Sequence, residues 1–150
     1  MKRIYDFCKS VNSKYILFTE DDIAYSKELS INNEQFDLTG RIPANMFPKE
    51  FLSYLSTIYP NHNLEQWGCC AGNFLNRESF IYCYDNSVKF LSDNYEHITN
   101  NIFNKLGWCD VLFNLIFGIH GMKYVKNYDY SETDPSYPIF HDKITRRVRN

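Results

Sequence analysis

Apolar positions along this chain follow a helical period in some stretches and form short unbroken runs in others. Ile4, Phe7, Cys8 and Val11 recur at i, i+3, i+4 and i+7, which predicts an amphipathic helix over residues 2–13. Tyr15-Ile16-Leu17-Phe18-Thr19 is a short apolar run rich in strand formers, expected as a strand buried inside an α/β sheet. Phe36 to Gly40 suggests a short strand and turn. Pro48 suits the first turn of a helix, where its missing N–H is harmless. Phe51, Leu52, Leu55, Ile58 and Tyr59 line one face of that helix, and Pro60-Asn61-His62-Asn63 stops it. Asn76 is placed to cap a helix opening at Arg77-Glu78. Its pattern runs to about Lys105, with a break expected near Asp85-Asn86. Trp108 to His120 reads as another helix, with Gly121 as its stop. Met122 to Val125 is a strand candidate. Residues 23–46 are mixed and those beyond Val125 irregular.

Helices and strands in alternation predict a single α/β domain over residues 1–150, a mixed sheet flanked by helices. A length of 150 residues suits one compact unit, and 44% hydrophobic residues suffice for a core. No repeat, linker or low-complexity segment interrupts it. Aromatic residues reach 17%, with 12 Tyr and 12 Phe. Exposed rings of this kind suit a sugar-binding cleft, but an AT-rich coding sequence accounts for them more simply. The formal net charge of -2 gives no electrostatic case for nucleic-acid binding. No apolar run approaches the roughly 20 residues of a membrane-spanning helix, and the N-terminus lacks a signal-peptide core. The expectation is a cytoplasmic chain with reduced, mostly buried thiols. Its five cysteines form no C-x-x-C and no zinc-type spacing with histidine.

Four groups of residues carry candidate chemistry. Glu20-Asp21-Asp22 follow the apolar run Tyr15–Thr19 directly. In open α/β sheets ligands bind beyond the carboxyl ends of strands. Adjacent carboxylates repel unless a cation joins them, and hard cations such as Mg²⁺ or Mn²⁺ favour oxygen ligands. Taken alone, the triplet reads equally well as a solvated turn. Gly68-Cys69-Cys70-Ala71-Gly72-Asn73 is a small-residue run over which backbone can approach a ligand, or over which a helix can pack closely. Asp110 opens a helix, where a carboxylate complements the helix dipole and can also serve as a base. His141-Asp142-Lys143 follows Phe140 near a basic tail. His141 reads either as a metal ligand or as a surface histidine. His62, His97 and His120 are expected to be structural or solvated.

In this order, Lys14-Tyr15-Ile16-Leu17-Phe18-Thr19-Glu20-Asp21-Asp22-Ile23, the Gly72-Asn73 run, Asp110 and His141 resemble the later portion of GT-A-type glycosyltransferases, the fringe-like and galactosyltransferase-like enzymes. Glu20-x-Asp22 stands for that class's D-x-D motif, with Glu in place of the commoner first Asp. The resemblance implies a partial GT-A fold and transfer of a sugar from a nucleotide-sugar donor to a hydroxyl of a glycan, protein or lipid acceptor. It implies Mn²⁺ or Mg²⁺ on Asp22 and His141, Glu20 and Asp21 facing the donor nucleotide, and Gly72 and Asn73 facing the donor sugar. Lys143 would neutralise the diphosphate, and Asp110 would act as catalytic base.

Only 19 residues precede Glu20, so the resemblance also implies that the first, nucleotide-binding half is absent here, supplied by an upstream segment or partner chain. Alone, the chain is then expected to turn over slowly or not at all. The alternative is a non-catalytic descendant that binds sugar or protein. A phospho-receiver-like domain is a poorer fit, because no later strand ends in a suitable aspartate.

Overall fold

The computed structural model describes residues 1–19, 23–25, 35–40, 47–64, 73–100, 110–126, 130–131, 136 and 139–141. The chain is an α/β structure built on a four-stranded mixed sheet with flanking helices. Strands β1 (Tyr15–Phe18), β4 (Asn73–Asn76), β3 (Leu38–Gly40) and β5 (Tyr124–Lys126) lie in the order β1-β4-β3-β5. The β1/β4 and β3/β4 pairs are antiparallel and β3/β5 is parallel. Strands β2 (Ile23–Tyr25), β7 (Ile139–His141) and β6 (Tyr130–Ser131) form a second sheet in the order β2-β7-β6.

Helix α1 spans Lys2–Ser10 and ends before the predicted residue 13. The Arg77 guanidinium donates from Nη1 to the carbonyls of Cys8 and Val11, at 3.3 and 3.1 Å, and Val11 is already extended. These contacts satisfy orphan carbonyls at the helix end. Cys8 is buried as its period requires, but Phe7 is 52% exposed, so the apolar face points only partly inwards. Helix α2 (Lys49–Ile58) follows Pro48 and buries Phe51 and Leu55. Helix α3 (Arg77–Asp93) is capped by Asn76, whose side chain accepts from the N–H groups of Glu78 and Ser79. It runs unbroken through Asp85-Asn86, where the Asn86 amide donates back to the Tyr82 carbonyl. The interruption falls instead at Asn94, whose amide bonds the Phe90 carbonyl while its oxygen accepts from the Tyr54 hydroxyl. Helix α4 (Tyr95–Ile98) follows. Helix α5 (Asp110–Ile119) ends as expected: Gly121 adopts φ +64°, and a Cβ there would lie 2.9 Å from the Asn61 carbonyl oxygen.

Helix α5 is buried on most of its surface and joins two packed regions. Val111, Leu115 and Ile119 meet Phe51, Leu55, Leu64, Phe90 and Ile98 from α2, α3, α4 and the segment after α2. Phe113, Ile116 and Phe117 meet Cys8, Leu38, Leu75, Phe80 and Cys83. The four-stranded sheet therefore packs through α1, α3 and α5, while α2 and α4 close the other side of α5.

One expectation about the sheet is corrected. Strand β1 is half-buried along its length and, among the described residues, stands at the edge of the sheet. Four apolar residues in a row suggest burial on both faces, but they carry no information about how many neighbours pair with the strand.

Candidate functional site

Strand β1 still ends where its sequence leads. Its last residue, Phe18, is paired with Asn73, the first residue of β4. Asn73 is 1% exposed, and its neighbour Phe74 donates from its backbone N–H to Thr39 Oγ1 at 2.8 Å. The buried Thr39 hydroxyl thus holds the backbone beside the predicted Gly72-Asn73 run.

Helix α5 comes to the same end of β1. The rings of Phe18 and Phe113 lie 5.0 Å apart between centroids. Asp110 opens α5, one turn before Phe113. The start of this helix is therefore beside the carboxyl end of β1 and the amino end of β4. Asn114, on the same first turns of α5, is buried at 4% exposure.

Strand β2 begins immediately after the acidic triplet. Ile23, the residue following Asp22, is paired with His141 across the antiparallel β2/β7 ladder. Residues 23 and 141 are 118 positions apart in the chain, so only tertiary structure brings them opposite one another. The triplet is therefore bracketed in sequence by two paired positions, Phe18 with Asn73 and Ile23 with His141.

Glu20, Asp21, Asp22, Gly72 and Lys143 lie outside the described residues, as do the remaining basic residues of the tail. Asp110 and His141 are described by their backbone positions. Among the described residues there is no group of three His, Cys, Asp or Glu side chains arranged to hold a metal, and no helix is long and apolar enough to cross a membrane.

Asp37 was not foreseen from the sequence, yet it ties together the elements on the far side of β4. One carboxylate oxygen accepts from the Ser79 hydroxyl in α3, and the other accepts from the Lys123 N–H at 2.7 Å. Its own N–H donates to the Lys123 carbonyl, and its carbonyl accepts from the Asn76 N–H. A polar depression of about 370 Å³ lies here, lined by Gln35, Phe36, Asp37, Asn76 and Lys123. The carboxylate is engaged in holding β3, β5 and α3 together, so its role is structural. Only its position just before Leu38-Thr39-Gly40, the predicted strand, hints at this.

Cys8 and Cys83 are buried free thiols, as expected. Burial raises the pKa of both, very strongly for Cys83, where Asp37 adds to the effect. Neither is a ready thiolate nucleophile. The three described histidines outside the site are structural. His62 Nε2 and the Ser56 hydroxyl are 2.8 Å apart, His97 stacks on Phe51, and His120 Nε2 lies 3.0 Å from the buried Ser87 hydroxyl.

Compared with known proteins, the chain matches no family model, no curated protein and no solved structure. The fold and site define an α/β domain with candidate chemistry at the carboxyl end of β1.

Proposed function

We propose that this chain carries the metal-binding and acceptor-side elements of a GT-A-type glycosyltransferase. The observation that carries the reading is the bracketing of the acidic triplet: Phe18 is paired with Asn73, and Ile23 with His141. Asn73 and His141 are two of the residues that the resemblance implies face the donor sugar and the cation.

In this reading Asp22 and His141 would hold a divalent cation, their carboxylate and imidazole suiting Mn²⁺ or Mg²⁺. When bound, the cation offsets charge on the diphosphate. Glu20 and Asp21 face the donor nucleotide, Gly72 and Asn73 the donor sugar, and Lys143 the diphosphate. Asp110 accepts the proton from the acceptor hydroxyl as its oxygen bonds to the anomeric carbon. The bond from that carbon to the diphosphate oxygen breaks, and the electron pair leaves with the nucleoside diphosphate.

The test separates metal binding from turnover. Mn²⁺ titrated into the full chain, followed by the electron paramagnetic resonance of free Mn²⁺, should show one saturable site. Asp22→Ala and His141→Ala should each weaken it by about tenfold or more, and the double variant should lose much less than the product of the two. Nucleoside diphosphate release from a panel of nucleotide-sugars then distinguishes a transferase from a sugar-binding descendant. Absence of saturable Mn²⁺ binding, or binding indifferent to both substitutions, overturns the assignment.

A further inference from the structure

Strand pairing sets one residue from each strand of the four-stranded sheet in a row, at the end where β1, β3 and β5 finish. Phe18 of β1 is paired with Asn73 of β4, and Gly40 of β3 with Lys126 of β5. Between β4 and β3, the Asn76 N–H donates to the Asp37 carbonyl, Leu38 is paired with Leu75, and the Phe74 N–H donates to Thr39 Oγ1. The same register sets Gly40 opposite Asn73. The row therefore reads Phe18, Asn73, Gly40, Lys126, in the strand order β1-β4-β3-β5.

Residues two apart on a strand share a face. Two positions back along the strands, Ile16, Leu75, Leu38 and Tyr124 belong to the same packed region as Phe113 of α5. The row thus continues the face that α5 covers. It emerges beside the start of that helix, where the Phe18 and Phe113 rings lie 5.0 Å apart. Gly40 contributes no side chain to the row between Asn73 and Lys126, whose backbones are two strand spacings, about 9–10 Å, apart. An ammonium placed on such a face is stabilised by an anionic partner.

We infer that Lys126 selects the acceptor, and that the acceptor is anionic: a hydroxyl compound bearing a phosphate or a carboxylate. The inference rests on the transferase reading, in which the cation and diphosphate belong to the β1 end of the row and Asn73 faces the donor sugar. Lys126 is three strand spacings from Phe18, about 14 Å across the sheet. That is beyond the reach of a lysine serving a diphosphate at the β1 end. A substrate laid along the row meets Lys126 only past the sugar, on the acceptor's side. Asp110, the base in that reading, opens the helix over the same end of the sheet. The site's own carboxylates are committed in that reading to the cation, the donor nucleotide and the acceptor proton, which leaves the acceptor's anionic group for Lys126.

Glucose 6-phosphate, glucuronate and glucose, titrated into the full chain with Mg²⁺ and followed by protein amide shifts, test it. At least one of the two anionic sugars should bind about tenfold tighter than glucose. Which of them binds tighter assigns a phosphate or a carboxylate. Lys126→Gln should abolish the preference, and Lys126→Arg should restore it, which separates lost charge from lost folding. Lys123→Gln removes the same charge just before the other end of β5 and should leave the preference intact. With Mn²⁺ in place of Mg²⁺, relaxation of the glucose 6-phosphate phosphorus should place it well outside direct contact with the ion. Equal affinity for all three sugars overturns the inference. So does a preference that survives Lys126→Gln or is lost equally in Lys123→Gln, or a phosphorus in direct contact with the ion. Each of these leaves the transferase reading standing where the chain binds Mn²⁺ saturably. Without saturable Mn²⁺ binding that reading falls, and the inference with it.

Discussion

His120 shows how burial turns a residue into a sensor of pH. Its Nε2 meets the Ser87 hydroxyl, the rings of Tyr59 and Tyr82 approach edge-on, and burial lowers its pKa. The unfolded chain therefore binds the proton more tightly than the folded one. Stability from this group is fully present above the unfolded value, near 6.5, and declines as pH falls below it towards the lowered folded value. The urea midpoint should fall between pH 7.5 and 5.5, and His120→Gln should flatten that part of the profile. Gly118 makes a different point. A Cβ there would lie 2.8 Å from Leu64 Cγ, and closer still to one of its methyls. Leu64 is fully buried and cannot easily yield. Alanine gains about 1 kcal/mol of helix propensity but meets an overpacking cost of about 1–3 kcal/mol. Gly118→Ala should therefore destabilise or at best be neutral in chemical denaturation, whereas propensity alone forecasts a gain. A sequence reading sees glycine in a helix as a weakness; the neighbour that requires it is 54 residues away.

At the scale of elements, the junction between β4 and α3 depends on one side chain. Asn76 ends the strand and caps the helix, its oxygen 3.1 Å from the Glu78 nitrogen and 3.2 Å from that of Ser79. Asn76→Ala should cost about 1 kcal/mol, read as a lower urea midpoint with an unchanged slope. The cap was legible in sequence because its geometry is local. The same holds for Gly121, for Pro48 and for the faces of α2. Strands β2, β6 and β7 were not legible. They span three, two and three residues, too few for any period to show. Their existence depends on partners more than 100 positions away, in the case of β2 with β7. The end of α1 was misjudged for a related reason: the guanidinium that takes its last carbonyls belongs to Arg77.

Across the whole molecule, Phe113 links the candidate site to the core. Its ring lies 5.0 Å from that of Phe18 and 5.8 Å from that of Phe80, so it joins the end of β1 to α3 through α5. Phe113→Ala should lower stability by about 3–5 kcal/mol, measured by urea unfolding. Under conditions where the variant remains folded, it should also loosen the amides of β1 and β4 in hydrogen exchange. An equally buried residue on the other face of α5, Leu115, packs against α2 and α4. Leu115→Ala should destabilise by about 2–5 kcal/mol yet leave those strand amides less affected. The contrast separates global stability from support of the site.

The amino-acid sequence by itself determined the helices with a clear apolar period, the caps and stops, the strand Tyr15–Phe18 and the residues worth testing for chemistry. These follow from local sterics and from the 3.6-residue and two-residue periods, which act over a few neighbouring positions. Tertiary structure alone decided that β1 is only half-buried, that Phe18 is paired with Asn73, and that Ile23 lies opposite His141. Strand neighbours are chosen by burial and hydrogen bonding across the whole chain. A run of apolar residues states that it will pair, but its partner is named only when every other strand has found its place.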